Sequence, residues 1–230
     1  MPFTVRCAIL CLALALPLSG ASAQSKVGVD LELLLAVDSS GSVNFGEFQL
    51  QAAGLARALR DREVIEAIQA WTPKGVAVSV VQWSGRGQQL VAVDWTRIGD
   101  RASVEALATR IEAMGRSLIG ETALGNLLRF ALEHFERGPF HGVRRIVDVS
   151  GDGRSNAGDA LEPIRKAATA AGITINGLAI LNEDLALDLY YADHVIGGPD
   201  AFVMTAQDYR DFTRAMRLKL LKEIRGAPLG

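Results

Sequence analysis

From Val29 onward, short apolar runs alternate with longer stretches in which apolar residues recur every three to four positions. Residues 31–37, Leu-Glu-Leu-Leu-Leu-Ala-Val, are almost unbroken apolar sequence, the pattern of a central parallel strand covered on both faces. Residues 47–59 carry Phe48, Ala52, Leu55 and Leu59 on one helical stripe. Residues 75–83 are rich in β-branched side chains and read as a strand, with 89–94 as its partner. Helices are predicted over 100–114, with Asp100 as N-cap, and over 122–136, where Leu124, Leu127, Leu128, Ala131, Leu132 and Phe135 keep helical spacing. The pattern then gives a strand at 145–149, a helix at 159–171, a strand at 173–180 and a helical segment at 184–193. A short edge strand at 202–204 and a closing helix at 209–224 follow, and the tail 226–230 is expected to fray.

This order predicts an α/β fold: a doubly wound, mostly parallel central sheet with one antiparallel edge strand and helices on both faces. The chain has 230 residues, 49% of them hydrophobic and 22% charged, which suits one large domain better than two small ones. No internal repeat, low-complexity tract or dividing linker interrupts residues 29–225, and 24–28 form a short lead.

The N-terminus follows a different logic. Arg6 and the free amine supply a positive start, residues 7–18 are apolar but too short to span a bilayer, and Pro17 and Gly20 break the run. Ala21-Ser22-Ala23 then offers the small-residue pattern of signal peptidase. The expectation is a signal peptide over 1–23, cleaved after Ala23, and a secreted or periplasmic protein without a membrane span. Cys7 and Cys11 both lie inside that segment, so the mature chain has no thiol for a disulfide or a thiolate metal site. A net charge of -2 gives no basic excess for nucleic acid or an anionic membrane surface.

In a doubly wound sheet, ligands bind beyond the carboxyl ends of the strands. Asp38-Ser39-Ser40-Gly41-Ser42 follows the first strand, and Ser150-Gly151-Asp152-Gly153 follows the strand at 145–149. Between them, Gly120-Glu121-Thr122 opens the best amphipathic helix. These are oxygen donors without nitrogen or sulfur, which suits a hard divalent cation: Mg2+ first, with Mn2+ and Ca2+ open. In Asp38-x-Ser40-x-Ser42, alternation lets an extended or turning backbone direct all three side chains one way. Gly41 and Gly153 allow the loops close approach to an ion. Asp-x-Ser-x-Ser alone is a weak signal, because Asp and Ser are ordinary turn and cap residues. Three elements in this order are a stronger one.

Those three elements resemble the metal-ion-dependent adhesion site of von Willebrand factor type A domains, and the similarity extends over 29–224. Val37-Asp38-Ser39-Ser40, Val81-Gln82-Trp83-Ser84 and Val149-Ser150-Gly151-Asp152-Gly153 further resemble a family of secreted bacterial A-domain-like proteins of unknown function. The resemblance implies that Ser40, Ser42 and Thr122 bind the ion through hydroxyls, and Asp38 and Asp152 directly or through water. One coordination position is left for water or for an acidic side chain of a protein partner. A-domains often carry Thr-Asp-Gly where this chain has Gly151-Asp152-Gly153. Ser150 is therefore expected to orient Asp152 or a bound water, and Glu121 is an extra carboxylate able to shield the open position.

The function this implies is a non-enzymatic, metal-dependent protein-binding module. Two other readings stand beside it: an Mg2+-dependent hydrolase or phosphatase, and a scaffold whose metal is only structural. A haloacid-dehalogenase-type phosphatase needs a second Asp two residues after the first, and that position is Ser40. No Gly-x-Ser-x-Gly elbow occurs, and Ser84-Gly85-Arg86-Gly87 lies between strands rather than opening a helix. His134, His141 and His194 lack ligand spacing, His134 reading as a helix-face residue and His141 as a loop residue. Trp71, Trp83 and Trp95 are expected to pack at sheet edges. Arg214, Arg217, Lys219, Lys222 and Arg225 are expected on the solvated side of the last helix.

Overall fold

The first apolar run becomes one of the two central strands of a six-stranded sheet. The computed structural model describes Met1 and residues 25–226. The predicted signal segment, with Cys7, Cys11 and its cleavage pattern, and the tail residues 227–230 lie outside the described residues.

The strands are β1 (Val27–Asp38), β2 (Val76–Trp83), β3 (Gln89–Ile98), β4 (Phe140–Gly151), β5 (Ile173–Ile180) and β6 (Val203–Ala206). Their order is β3-β2-β1-β4-β5-β6, and every pairing is parallel except β2 with the edge strand β3. This is the predicted fold class. β1 and β4 run longer than their apolar cores suggest, because pairing such as Val27 with Phe140 carries polar residues into the ladder. His141 is therefore a strand residue opposite Gly28, not the loop residue expected.

The helices are α1 (Phe45–Arg60), α2 (Arg62–Trp71), α3 (Arg101–Glu112), α4 (Leu124–Arg137), α5 (Leu161–Ala170), α6 (Leu187–Tyr190) and α7 (Phe212–Arg225). Asn44 starts α1: its side chain accepts from the Glu47 N–H while Glu47 accepts from the Asn44 N–H. Asp100 caps α3 as predicted. α2 is an addition to the predicted order. Only Asp61 separates it from α1, and Asp61 caps it, so Val64, Ile65 and Ile68 turn inward with no loop signal to announce them. The predicted helical segment near 184–193 is a single α-turn followed by a π-turn at Tyr191–Val195.

Two apolar cores flank the sheet. Leu31, Leu33, Leu35 and Val37 of β1 face α1, α2, α3 and α7, while Leu34 and Ala36 face α4 and α5. Alternation along one strand thus feeds both layers, which is why its sequence is continuously apolar.

Two surface expectations need correction. Lys219 is fully buried, and its ammonium lies 2.8 Å from Asp148 of β4 and 2.5 Å from Glu223, while Asn176 donates to Glu223 at 2.9 Å. It sits on the inner side of α7, where a strand carboxylate draws it in, so the basic run is not all solvated. Burial raises the Asp148 carboxyl pKa and outweighs the pull of Lys219. Of the tryptophans, only Trp95 packs at a sheet edge, on β3 against His134 and Phe135. Trp71 is 60% exposed at the end of α2, and Trp83 is fully buried at the end of β2.

Candidate metal centre

Register places the site. Asp38 ends β1 opposite Trp83, and Val37 lies opposite Ser150 of β4, so the loops after β1, β2 and β4 leave one rim. Just past β1 the chain turns back on itself: the Ser40 N–H donates to Asp38 Oδ1 at 2.7 Å. That turn brings Ser40 Oγ within 3.2 Å of Ser42 Oγ, and Ser42 Oγ donates to Asp152 Oδ1 at 2.7 Å. Asp38, Ser40 and Asp152 are buried while Ser42 is exposed, so the cluster opens to solvent on the Ser42 side.

Thr122 is brought to the same rim by its backbone. Its N–H donates to Asn156 Oδ1, and its carbonyl accepts from the Asn156 N–H, each at 2.9 Å. Its neighbour Gly120 accepts from the Gly41 N–H at 2.6 Å, tying this loop to the serine loop. Thr122 Oγ1 lies 3.6 Å from where a Cβ on Gly153 would stand, so the hydroxyl faces the turn carrying Asp152. Asp38, Ser40, Ser42, Thr122 and Asp152 therefore share one rim.

The two accessory residues behave differently. Ser150 donates its hydroxyl to the Ala36 carbonyl at 3.1 Å, within the β1–β4 pair, rather than to Asp152. Glu121 is exposed on the rim, its carbonyl accepting from Ser84 Oγ at 3.1 Å.

Several residues at the site were not among those the sequence assigned to it. Tyr209, from the turn before α7, donates its hydroxyl to Asp152 Oδ2 at 2.7 Å. Arg116 donates to the Ser40 carbonyl at 2.7 Å, holding the serine loop from below. Tyr191 and Trp83 stand beside Gly151. A Cβ there would lie 2.7 Å from Asp38 Oδ2, 2.9 Å from the Tyr191 hydroxyl and 3.2 Å from Trp83 Cζ2. The side chain that A-domains often carry at this position has no room here. No spacing rule assigns these residues to the site, since they come from separate elements and meet only through the fold.

The electrostatics point to a cation. Asp38 Oδ2 is buried without a hydrogen-bond partner. Its carboxyl is pushed up to about 7, first by burial and then by the charge of Asp152. Burial, with help from Asp152, likewise raises the Tyr209 phenol, which stays a protonated donor. Among the described residues no three His, Cys, Asp or Glu side chains cluster as metal ligands, so hydroxyls must complete any coordination shell here. An unpartnered buried carboxylate beside a second carboxylate and three hydroxyls is a hard-oxygen set, and the residues fit a divalent cation of the Mg2+ type.

The sheet order is that of the von Willebrand factor type A fold, and solved structures share it. The chain is similar to proximal thread matrix protein 1 from the mussel byssus "with zinc occupied MIDAS motif", at 18% identity and TM-score 0.65, over 86% of this chain and 49% of that one. It is similar to a von Willebrand factor type A protein from Catenulispora acidiphila at 18% identity and TM-score 0.59, over 87% and 43%. It is also similar to the vWF domain of the type V pili tip protein Mfa5 from Porphyromonas gingivalis at 13% identity and TM-score 0.61, over 88% and 97%. The chain spans about half the length of the byssus protein. No curated protein matches it. Residues 28–228 match the family model described as "Protein of unknown function (DUF1194)", and the chain belongs to that family.

Proposed function

We propose that this chain is an exported, non-enzymatic binding module that holds one divalent cation, Mg2+ by its donor chemistry, and uses it to capture an acidic side chain of a protein partner. The observation that carries the reading is the buried, unpartnered Asp38 Oδ2 beside Asp152, within a ring of hydroxyls. Two carboxylates this close, away from water, call for positive charge.

Asp38 and Asp152 would retain the ion, and Ser40, Ser42 and Thr122 would complete its shell. When bound, the ion supplies a strong electrostatic attraction for an outside anion, because neutral hydroxyl ligands leave much of its charge uncancelled. Ser42 and Glu121 are exposed, so a partner reaches the rim from that side. The zinc-occupied MIDAS motif of the byssus protein and the pilus-tip setting of Mfa5 support the reading by analogy. The Ala21-Ser22-Ala23 pattern supports export. No helix among the described residues is long and apolar enough to cross a membrane.

The test is affinity capture from an envelope extract in Mg2+, eluted with chelator, followed by titration of metal and partner against three variants. Thr122→Ala should weaken partner binding more than metal binding, and Asp152→Ala should weaken both. Glu121→Gln should strengthen capture if its charge shields the ion. Partner binding that survives chelator unchanged would overturn the mechanism and leave a purely structural site.

A further inference from the structure

Tyr209 belongs to none of the motifs, yet it touches the centre of the site. Its residue is 4% exposed and belongs to the core on the α7 side of the sheet. A turn holds it in place: Asp208 Oδ1 accepts from the N–H groups of Arg210 and Asp211. α7 follows at once, and its buried Lys219 grips Asp148, on the strand that leads to Asp152. From this platform the phenol donates to Asp152 Oδ2 at 2.7 Å, while Ser42 donates to Oδ1 at 2.7 Å from the opposite side. Each carboxylate oxygen thus has its own donor, and the group has one orientation. Without the phenol, Ser42 would be the one side chain among the described residues hydrogen-bonded to it.

We propose that Tyr209 is a positioning residue of the metal site, fixing Asp152 through Oδ2 so that the Oδ1 edge, shared with Ser42, is presented to the cation. The inference rests on the metal-binding reading above. Partners that orient a metal ligand are typically worth 10–100-fold in affinity. Tyr209→Phe keeps the ring and loses only the donor.

The experiment is calorimetric titration of Mg2+ and Mn2+ into the chelator-treated full-length protein, its Tyr209→Phe variant and a control, Phe212→Leu. Phe212 opens α7 and packs against α1, 2.8 Å from where a Cβ on Gly54 would stand, and it has no hydrogen-bonding group to offer Asp152. Tyr209→Phe should lower affinity for both ions by about 10-fold. Phe212→Leu should lower the melting temperature yet leave the affinity unchanged. Equal affinity in Tyr209→Phe and the native protein would overturn the proposal, and so would a parallel fall in both variants, which would mark Tyr209 as helix packing. A native protein that binds neither ion would overturn the metal reading itself, and this inference with it.

Discussion

Ser42 and Asp152 stand 110 residues apart in sequence and share a hydrogen bond of 2.7 Å. The bond exists because β1 and β4 pair in register up to Val37 and Ser150, so the loops that follow leave the sheet side by side. It closes the rim with one strand's loop holding the other's carboxylate. Ser42→Ala removes a donor to Asp152 and, on the proposed reading, an ion ligand. The apo protein should lose about 1 kcal/mol in urea unfolding, a typical net hydrogen-bond contribution, and its response to Mg2+ should fall sharply.

The pH dependence follows from Asp38. Its carboxyl, ordinarily at 3.8, is raised to about 7 by burial and by Asp152. Between those values the folded protein holds a proton that the unfolded chain has released, so this group makes the apo fold less stable as pH rises from about 4 to about 7. A cation favours the ionised form and acts in the opposite sense. The melting shift produced by Mg2+ should be small near pH 5.5, grow through neutrality and level off near pH 8, which melting curves across that range would show. A shift that does not change with pH would remove Asp38 from the ion's shell.

The fold was largely legible because apolar period decides it. Residues 31–37 read as a doubly covered strand and form one, and the helical stripes at 47–59 and 122–136 appear close to where they were expected. That the candidate site residues meet at one rim was legible for a related reason, since strand ends in such a sheet point to one rim. What escaped was decided by contacts between distant elements. α2 hid because one capping residue, Asp61, both ends one helix and starts the next. Lys219 looked like a surface cation, and only the placement of Asp148 opposite α7 makes it a core residue. Tyr209 and Tyr191 reach the site from near β6 and after β5, at positions with no pattern of their own.

The buried ammonium gives a stability prediction independent of metal. Lys219→Met leaves Asp148 and Glu223 as buried carboxylates without a cation, and should destabilise the protein by about 3–5 kcal/mol. The loss should be larger at pH 8 than at pH 5, because at low pH the Asp148 carboxyl, already raised by burial, can bind a proton instead. Denaturant unfolding at both values would measure it. Little loss at pH 8 would mean that the triad is not held as a charged unit.

Gly151 is needed for space rather than for backbone freedom, as it is not among the glycines with positive φ. A methyl group there would crowd Asp38 Oδ2, the Tyr191 hydroxyl and the Trp83 ring at 2.7, 2.9 and 3.2 Å. Gly151→Ala should therefore cost about 1–3 kcal/mol, as overpacking does, and should displace the Asp38 carboxylate enough to weaken metal binding. Unfolding and Mg2+ titration of the single variant check both parts.

Asp38 and its neighbours are proposed to hold a divalent cation. The most direct measurement is thermal unfolding of chelator-treated protein with and without Mg2+, Mn2+ and Ca2+, beside the Asp38→Ala variant. An ion that binds only the native state at ~100 times its dissociation constant adds roughly 2.7 kcal/mol. The native protein should show a gain of that order with at least one ion, Mg2+ foremost, and Asp38→Ala should fold but lose most of it. Melting that ignores all three ions, or an equal gain in Asp38→Ala, would mean that Asp38 holds no cation.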